Sequence, residues 1–83
     1  MTLRILMDPA PSRIKDMEMR IPSISVDLGA ILDDIANAAG LSRGWERHAL
    51  ILVNGNPSRR LGGHAAVVRD GDCISVVRPM GGG

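Results

Sequence analysis

The sequence predicts a small α+β domain, in which a mixed sheet of four to five strands packs against one main helix. Residues 25–40 show the apolar periodicity of a helix, and short apolar segments typical of strands lie on both sides of them. The chain has 83 residues, of which 45% are hydrophobic, so it has the size and composition of one globular domain.

Two strands are predicted before the helix. In residues 2–7, TLRILM, Leu, Ile and Met alternate with other residues, and in residues 15–21, KDMEMRI, apolar side chains alternate with charged ones. The segment between them, residues 8–13, is rich in Asp, Pro and Ser, which form turns. We therefore expect these two strands to form a hairpin.

The helix is predicted over residues 28–39. Its apolar stripe consists of Leu28, Ile31, Leu32, Ile35 and Ala39. Asp27 is a favourable N-cap residue, and Val26 and Ile31 have the spacing of a hydrophobic staple across the helix start. Gly40 stands where a helix commonly ends in a left-handed residue.

The second half of the chain predicts two clear strands. ALILV, residues 49–53, is followed by Asn54-Gly55, which is a strong hairpin signal, and CISVV, residues 73–77, follows the turn RDGD. Residues 56–68 are poorly periodic and predict a short edge strand and a long irregular loop. A last strand that pairs in parallel with the first would complete the β-grasp, or ubiquitin-like, fold.

The alternation of side chains along these elements predicts which residues are buried. The predicted core residues are Leu3, Ile5, Met17, Met19, Ile21, Leu28, Ile31, Leu32, Ile35, Ile74 and Val76. By the same alternation, Val77 and either Ile51 or Leu52 point away from the core. We therefore expect an exposed apolar patch near the end of the last strand, which is typical of a docking surface.

The composition argues against a nucleic-acid or membrane partner. The net charge is +1, no run of like charge exceeds Arg59-Arg60, and Trp45 is the only aromatic residue. The apolar part of the segment MTLRILMDP is too short for a signal peptide, because Asp8-Pro9 interrupts it early. No apolar run is long enough to span a membrane. We expect a soluble, cytoplasmic protein. Trp45 is expected to cap one end of the core, although a partner contact is an alternative.

The cysteine and the two histidines predict no metal site, because His48, His64 and Cys73 are scattered without the spacing of metal ligands. One cysteine forms no internal disulfide, which fits a reducing compartment. The strand position of Cys73 favours a structural residue, with a second sulfur-handling role as the alternative.

The chain resembles a known family. LVNG at 52–55, RDGDCISVVRP at 69–79 and a terminal glycine pair together resemble the MoaD/ThiS-like sulfur carriers, which include the small subunit of molybdopterin synthase and the sulfur carrier of the thiamine pathway. The most specific parts are the DGD turn before the last strand and the glycines at the C-terminus. The resemblance implies a β-grasp domain over residues 1–78 and a flexible reactive tail over residues 79–83.

The resemblance also implies the chemistry of that tail. The Gly83 carboxylate is adenylated at the expense of ATP and becomes a thiocarboxylate, and Gly82 keeps the approach to it free of side chains. The partners implied are an E1-like adenylating enzyme and a sulfur-accepting synthase subunit, with molybdopterin-type chemistry favoured. The residues expected to contact them are Val77, Arg78, Pro79, Met80 and Gly81. The chain itself is expected to be no enzyme and to hold no permanent cofactor.

Two alternatives stay open at this point. A protein modifier would use the same activated glycine but pass it to a lysine amine. A non-reactive β-grasp binding module would carry the glycines as an incidental tail. The sulfur acceptor is also left open among molybdopterin, thiazole, cysteine, transfer RNA and a siderophore.

Overall fold

The computed structural model describes residues 1–8, 16–42 and 44–77 of the chain. The strands are β1 (Thr2–Asp8), β2 (Asp16–Arg20), β3 (Ser25–Asp27), β4 (Leu50–Val53), β5 (Asn56–Pro57), β6 (Val67–Arg69) and β7 (Cys73–Val77). The helix α1 covers Leu28–Ala39, the range predicted from its sequence. Short 3₁₀ turns cover Trp45–His48, Ser58–Arg60 and Gly63–Ala65.

Five strands form one mixed sheet in the order β2-β1-β7-β4-β5. β1 and β2 are an antiparallel hairpin, and β7 pairs in parallel with β1, with Ile5 beside Ile74. β4 pairs with the other side of β7 in the antiparallel sense. The predicted β-grasp fold, including the parallel pairing of the first and last strands, is thereby confirmed. This order also makes β7 the middle strand of the sheet.

The core lies between α1 and the inner face of the sheet. Its buried residues are Leu3, Ile5, Met7, Leu28, Ile31, Leu32, Ile35, Ile51, Val53, Ala66, Val68, Ile74 and Val76. Three predicted core residues, Met17, Met19 and Ile21, are instead half-buried and pack against the rim of this cluster. They lie on or beside β2, which is an edge strand and has a neighbouring strand on one side only.

A second, two-stranded sheet is formed by β3 and β6, in which Val26 lies opposite Val68. The prediction for residues 56–68 is correct for the short strand β5 but wrong at the end of the segment. Val67 and Val68 belong to β6, and Val68 is fully buried. A strand of three residues is too short to show alternation in a sequence, so the pairing with β3 is visible only in the fold.

The start of α1 is held by a tertiary contact. Asp27 is the N-cap residue, as predicted, but its side chain makes no capping hydrogen bond. Instead, the Leu28 N–H donates to the Ala66 carbonyl at 2.8 Å. A helical N–H that needs a partner is thus satisfied by the segment leading into β6. At the other end of the helix, Gly40 has a φ of 68°, as the sequence predicts.

Two turns at the start of β7 are tied together by one asparagine. Asn54 and Gly55 have φ values of 51° and 85°, as a tight hairpin requires, and Gly71 has a φ of 84° in the DGD turn. The Asn54 amide nitrogen donates to the Asp72 carboxylate at 2.9 Å, and its Oδ1 accepts from the Cys73 N–H at 2.9 Å. These bonds fix where β7 begins.

Candidate functional site at the end of strand β7

Strand β7 leads from the middle of the sheet toward the glycines. Its last residue, Val77, pairs with Asp8 of β1 on one side and with Leu50 of β4 on the other. Backbone pairing on both sides holds the end of a strand more rigidly than a loop or an edge strand is held. The point from which residue 78 continues is therefore fixed by the sheet.

The outer face of the sheet, opposite the helix, is apolar at this end. Val77 and Leu50 lie opposite each other, with 36% and 41% of their surface exposed. Leu6 and Leu52 share this face and are half-buried. The prediction that Val77 points away from the core is confirmed, and on β4 it is Leu52 that does so, because Ile51 is buried. We call Leu6, Leu50, Leu52 and Val77 the outer apolar patch.

A groove adjoins the outer apolar patch at the same end of the sheet. It has a volume of about 650 Å³ and lies between the 3₁₀ turns at residues 45–48 and 58–60. Its apolar lining residues are Leu32, Ala49, Leu50, Ile51 and Val77. Because Leu50 and Val77 belong to both surfaces, the groove and the patch are continuous.

The polar lining of the groove is mainly basic. It consists of Glu46, Arg47, His48, Ser58, Arg59 and His64. Arg47 and Arg59 are exposed, and neither forms an ion pair with a carboxylate of the part of the chain that the structure describes. The groove therefore combines an apolar floor with two guanidinium groups at its rim.

Within the described residues, an ion pair between Arg4 and Asp16 lies away from the groove. Arg4 on β1 and Asp16 on β2 are 2.7 Å apart, and the hydrogen bond from Arg4 lowers the pKa of the Asp16 carboxyl. A lowered carboxyl pKa stabilises the fold at neutral pH, and that contribution is lost as the pH falls through the lowered pKa. Both side chains are well exposed, so the contribution is small.

Of the predicted partner-binding residues, the structure describes Val77. Arg78, Pro79, Met80 and Gly81 lie outside the described residues, as do the predicted reactive residues Gly82 and Gly83. Their roles remain predictions. The groove has no counterpart among the sequence predictions, because its lining comes from separate segments that carry no motif.

The other singled-out residues do not converge on one site. Within residues 1–8, 16–42 and 44–77, no group of three His, Cys, Asp or Glu side chains is placed to hold a metal ion. Cys73 is half-buried on β7 beside Arg4 of β1. Trp45 is half-buried and packs against the core, as expected of a capping residue.

No helix in the same described ranges has the length and apolar content needed to cross a membrane.

A comparison with protein families decides the identity. The model described as "ThiS family" matches residues 15–83. The chain belongs to the ThiS family. This ThiS-family match runs from the start of the β2 region to Gly83, so it includes the DGD turn and the final glycines. No curated protein gives a significant match.

Solved structures resemble this ThiS-family chain in fold. The Haloferax volcanii HVO 2177 protein is 24% identical with a TM-score of 0.77, over 100% of this chain and 87% of that one. SAMP1 from Haloferax volcanii is 18% identical with a TM-score of 0.74, over 99% of each chain. One chain in the complex of subunits 1 and 2 of the molybdopterin-converting factor from Helicobacter pylori 26695 is 20% identical with a TM-score of 0.65. The match covers 100% of this chain and 100% of that one. At these identities the likeness establishes the fold.

Proposed function

We propose that this ThiS-family protein is a sulfur carrier whose C-terminal Gly83 is adenylated and then converted to a thiocarboxylate. The observation that carries the proposal is the family match, because it extends through the glycines to residue 83. The geometry supports it, since the rigid middle strand β7 ends at Val77, six residues before Gly83.

The chemistry requires no catalytic group from this chain. On an E1-like enzyme, a Gly83 carboxylate oxygen attacks the α-phosphorus of ATP, pyrophosphate leaves and an acyl-adenylate forms. The terminal sulfur of a donor persulfide then attacks the carbonyl carbon and AMP leaves. A thiol cleaves the resulting acyl disulfide, which releases the thiocarboxylate. The chain is therefore a carrier, and ATP is used at the site of its partner.

The composition of residues 78–83 suits insertion into a partner. Extended, six residues span about 20 Å at about 3.3 Å each, which is enough to reach a recessed site. Gly81, Gly82 and Gly83 carry no Cβ, so the backbone fits a narrow channel and adopts angles that other residues avoid. Pro79 restricts the backbone where this segment begins.

The outer apolar patch is the docking surface that we propose for the partners. Exposed apolar side chains that lie together mark interaction sites, and Leu50 and Val77 form such a pair at the end of β7. The Helicobacter pylori neighbour is a complex of two subunits of the molybdopterin-converting factor. This supports a molybdopterin-type synthase subunit as the sulfur acceptor of the present chain.

Mass spectrometry tests the function directly. The purified chain is incubated with ATP, a sulfur donor and the E1-like enzyme that acts on it. We expect the intact chain to gain the mass of one sulfur in exchange for one oxygen, and tandem spectra to place that change at Gly83. Omission of ATP is the control and should leave the mass unchanged. A chain that stays unmodified with every component present contradicts the proposal.

A protein modifier is the second candidate, because the fold neighbour SAMP1 from Methanosarcina acetivorans is described as a small archaeal modifier protein. A modifier would pass the activated Gly83 carbonyl to a lysine amine and form an isopeptide bond. The two functions differ in their product. A carrier accumulates free thiocarboxylate, whereas a modifier gives a ladder of larger, covalently joined proteins in cell extract.

Val77→Asp is expected to lower the efficiency of adenylation about tenfold or more, as the loss of a central apolar contact does at an interface. ATP–pyrophosphate exchange measures the rate. The fold should be retained, because Val77 is 36% exposed and points away from the core.

Leu61→Asp is the matched control, because Leu61 is 45% exposed but follows the 3₁₀ turn at residues 58–60, outside the patch. It should adenylate at the native rate. Equal rates for Val77→Asp and the native chain would exclude the outer apolar patch as the docking surface.

A further inference from the structure

The groove beside the outer apolar patch has a chemistry that the sulfur-transfer reaction does not use. Arg47 and Arg59 stand at its rim, both exposed and neither paired with a carboxylate of the described residues. We propose that this groove binds an acidic segment of a partner protein, which places an apolar side chain on the floor and carboxylates against the two arginines. Binding of this kind needs neither ATP nor Gly83, so it can be measured separately from the proposed function, although the groove shares Leu50 and Val77 with the outer apolar patch.

The charge of the lining favours an acidic occupant. Glu46 is the one carboxylate among the lining residues, against the two guanidinium groups of Arg47 and Arg59. Asp33 and Asp34 of α1 directly follow Leu32 in the sequence. Both side chains are exposed, and neither lines the groove. Guanidinium groups bind carboxylates through paired hydrogen bonds, so an Asp or Glu side chain is the natural ligand for each arginine.

The floor favours a peptide over a nucleic acid. Leu50 and Val77 offer exposed apolar surface suited to a Leu or Ile side chain, and none of the lining residues is Phe, Tyr or Trp. The large aromatic side chains on which nucleic-acid bases stack are therefore absent from the lining.

One wall of the groove is held in place by close packing. A Cβ at Gly29 of α1 would lie 3.2 Å from the Cβ of His64, so the helix and the 3₁₀ turn at residues 63–65 are in tight contact there. Because Gly29 has no side chain, His64 lies directly against the backbone of α1 beside the groove. This contact holds the wall at His64 in place, which reduces the entropy lost there on binding.

A labelled peptide tests the proposal on the full chain. The probe is a short synthetic peptide in which leucines are flanked by aspartates, and binding is followed by fluorescence anisotropy at low ionic strength. The double variant Arg47→Glu, Arg59→Glu should weaken binding about tenfold or more, since reversing two rim charges replaces attraction with repulsion. A peptide with lysines in place of the aspartates should not bind.

The matched control is Arg20→Glu, Arg69→Glu, which makes the same change in net charge at two exposed arginines outside the groove. It should bind the peptide as the native chain does. Equal weakening by both double variants would show general charge attraction and overturn the proposal, as would an acidic oligonucleotide that binds the native chain as tightly as the peptide.

Amide NMR shifts of the native chain give a second reading that needs no variant. Addition of the acidic peptide should shift residues of the groove, including Leu32 and Ile51, and leave β2 unchanged. Shifts confined to other surfaces, or no binding at all, would also overturn the proposal. Because the assay contains no ATP, its failure leaves the thiocarboxylate reaction of Gly83 untouched.

Discussion

One residue added after Gly83 is expected to abolish thiocarboxylate formation. The proposed reaction begins at the Gly83 carboxylate, and an added residue converts that carboxylate into an amide. An amide oxygen is too poor a nucleophile to attack the α-phosphorus of ATP, and the new carboxylate lies one residue too far along. β7 holds Val77 in the sheet, so the chain cannot slide to compensate. Mass spectrometry of the intact chain, with the activating enzyme and a sulfur donor, measures the loss.

The matched variant for this experiment is Gly82→Ala, which keeps the terminal carboxylate in place and adds one methyl group. It should slow activation without abolishing it. The added Cβ would enter the narrow channel of the partner enzyme, and it restricts the φ and ψ angles that residue 82 can adopt. Both variants should melt at the native temperature, since a chain terminus adds little to the core. Conversion of the extended variant at the native rate, in an assay free of proteases, would refute the carrier function.

Ile35→Ala is expected to lower the free energy of unfolding by about 2–5 kcal/mol, which is the usual cost of such a truncation in a packed core. Ile35 is fully buried on the face of α1 that packs against the sheet. A small domain has a stability of roughly 5–15 kcal/mol, so this one change removes a large share of it. Chemical denaturation followed by circular dichroism gives the midpoint and the free energy.

Asp34→Ala is the control for this measurement, because Asp34 is the preceding helical residue and is exposed. Its effect should stay within about 0.5 kcal/mol, as for most surface substitutions. An Ile35→Ala variant with a native midpoint would mean that α1 packs through a different face.

The strands and the helix that could be predicted are those with enough residues to show a period. The alternation in β1 and β2, the apolar stripe of α1 and the Asn54-Gly55 turn each define an element by local chemistry. The short strands β3 and β6 carry no such signal. They form because Val68 is buried against the core and Val26 lies opposite it, contacts that join residues far apart in the chain.

The functional site, like the fold, has features that the local sequence predicts and features that depend on contacts between distant residues. The glycines and the DGD turn are local motifs, and they indicate the sulfur-carrier family without reference to any tertiary contact. The exposure of Val77 followed from alternation, but the choice between Ile51 and Leu52 needed the register of β4 against β7. The groove could not be predicted at all, because Leu32, Arg47 and Arg59 come together only when α1, the 3₁₀ turns and β4 are packed.

By itself, the sequence determined the periodic elements and the resemblance to the family, because each depends on residues that are neighbours along the chain or on a motif at a fixed place. The tertiary structure decided the strand order with β7 in the middle and β2 at an edge, the pairing of β3 with β6 and the basic groove beside Val77. These features depend on which distant residues share a surface. That outcome is set by the packing of the whole core, which no local window of the sequence contains.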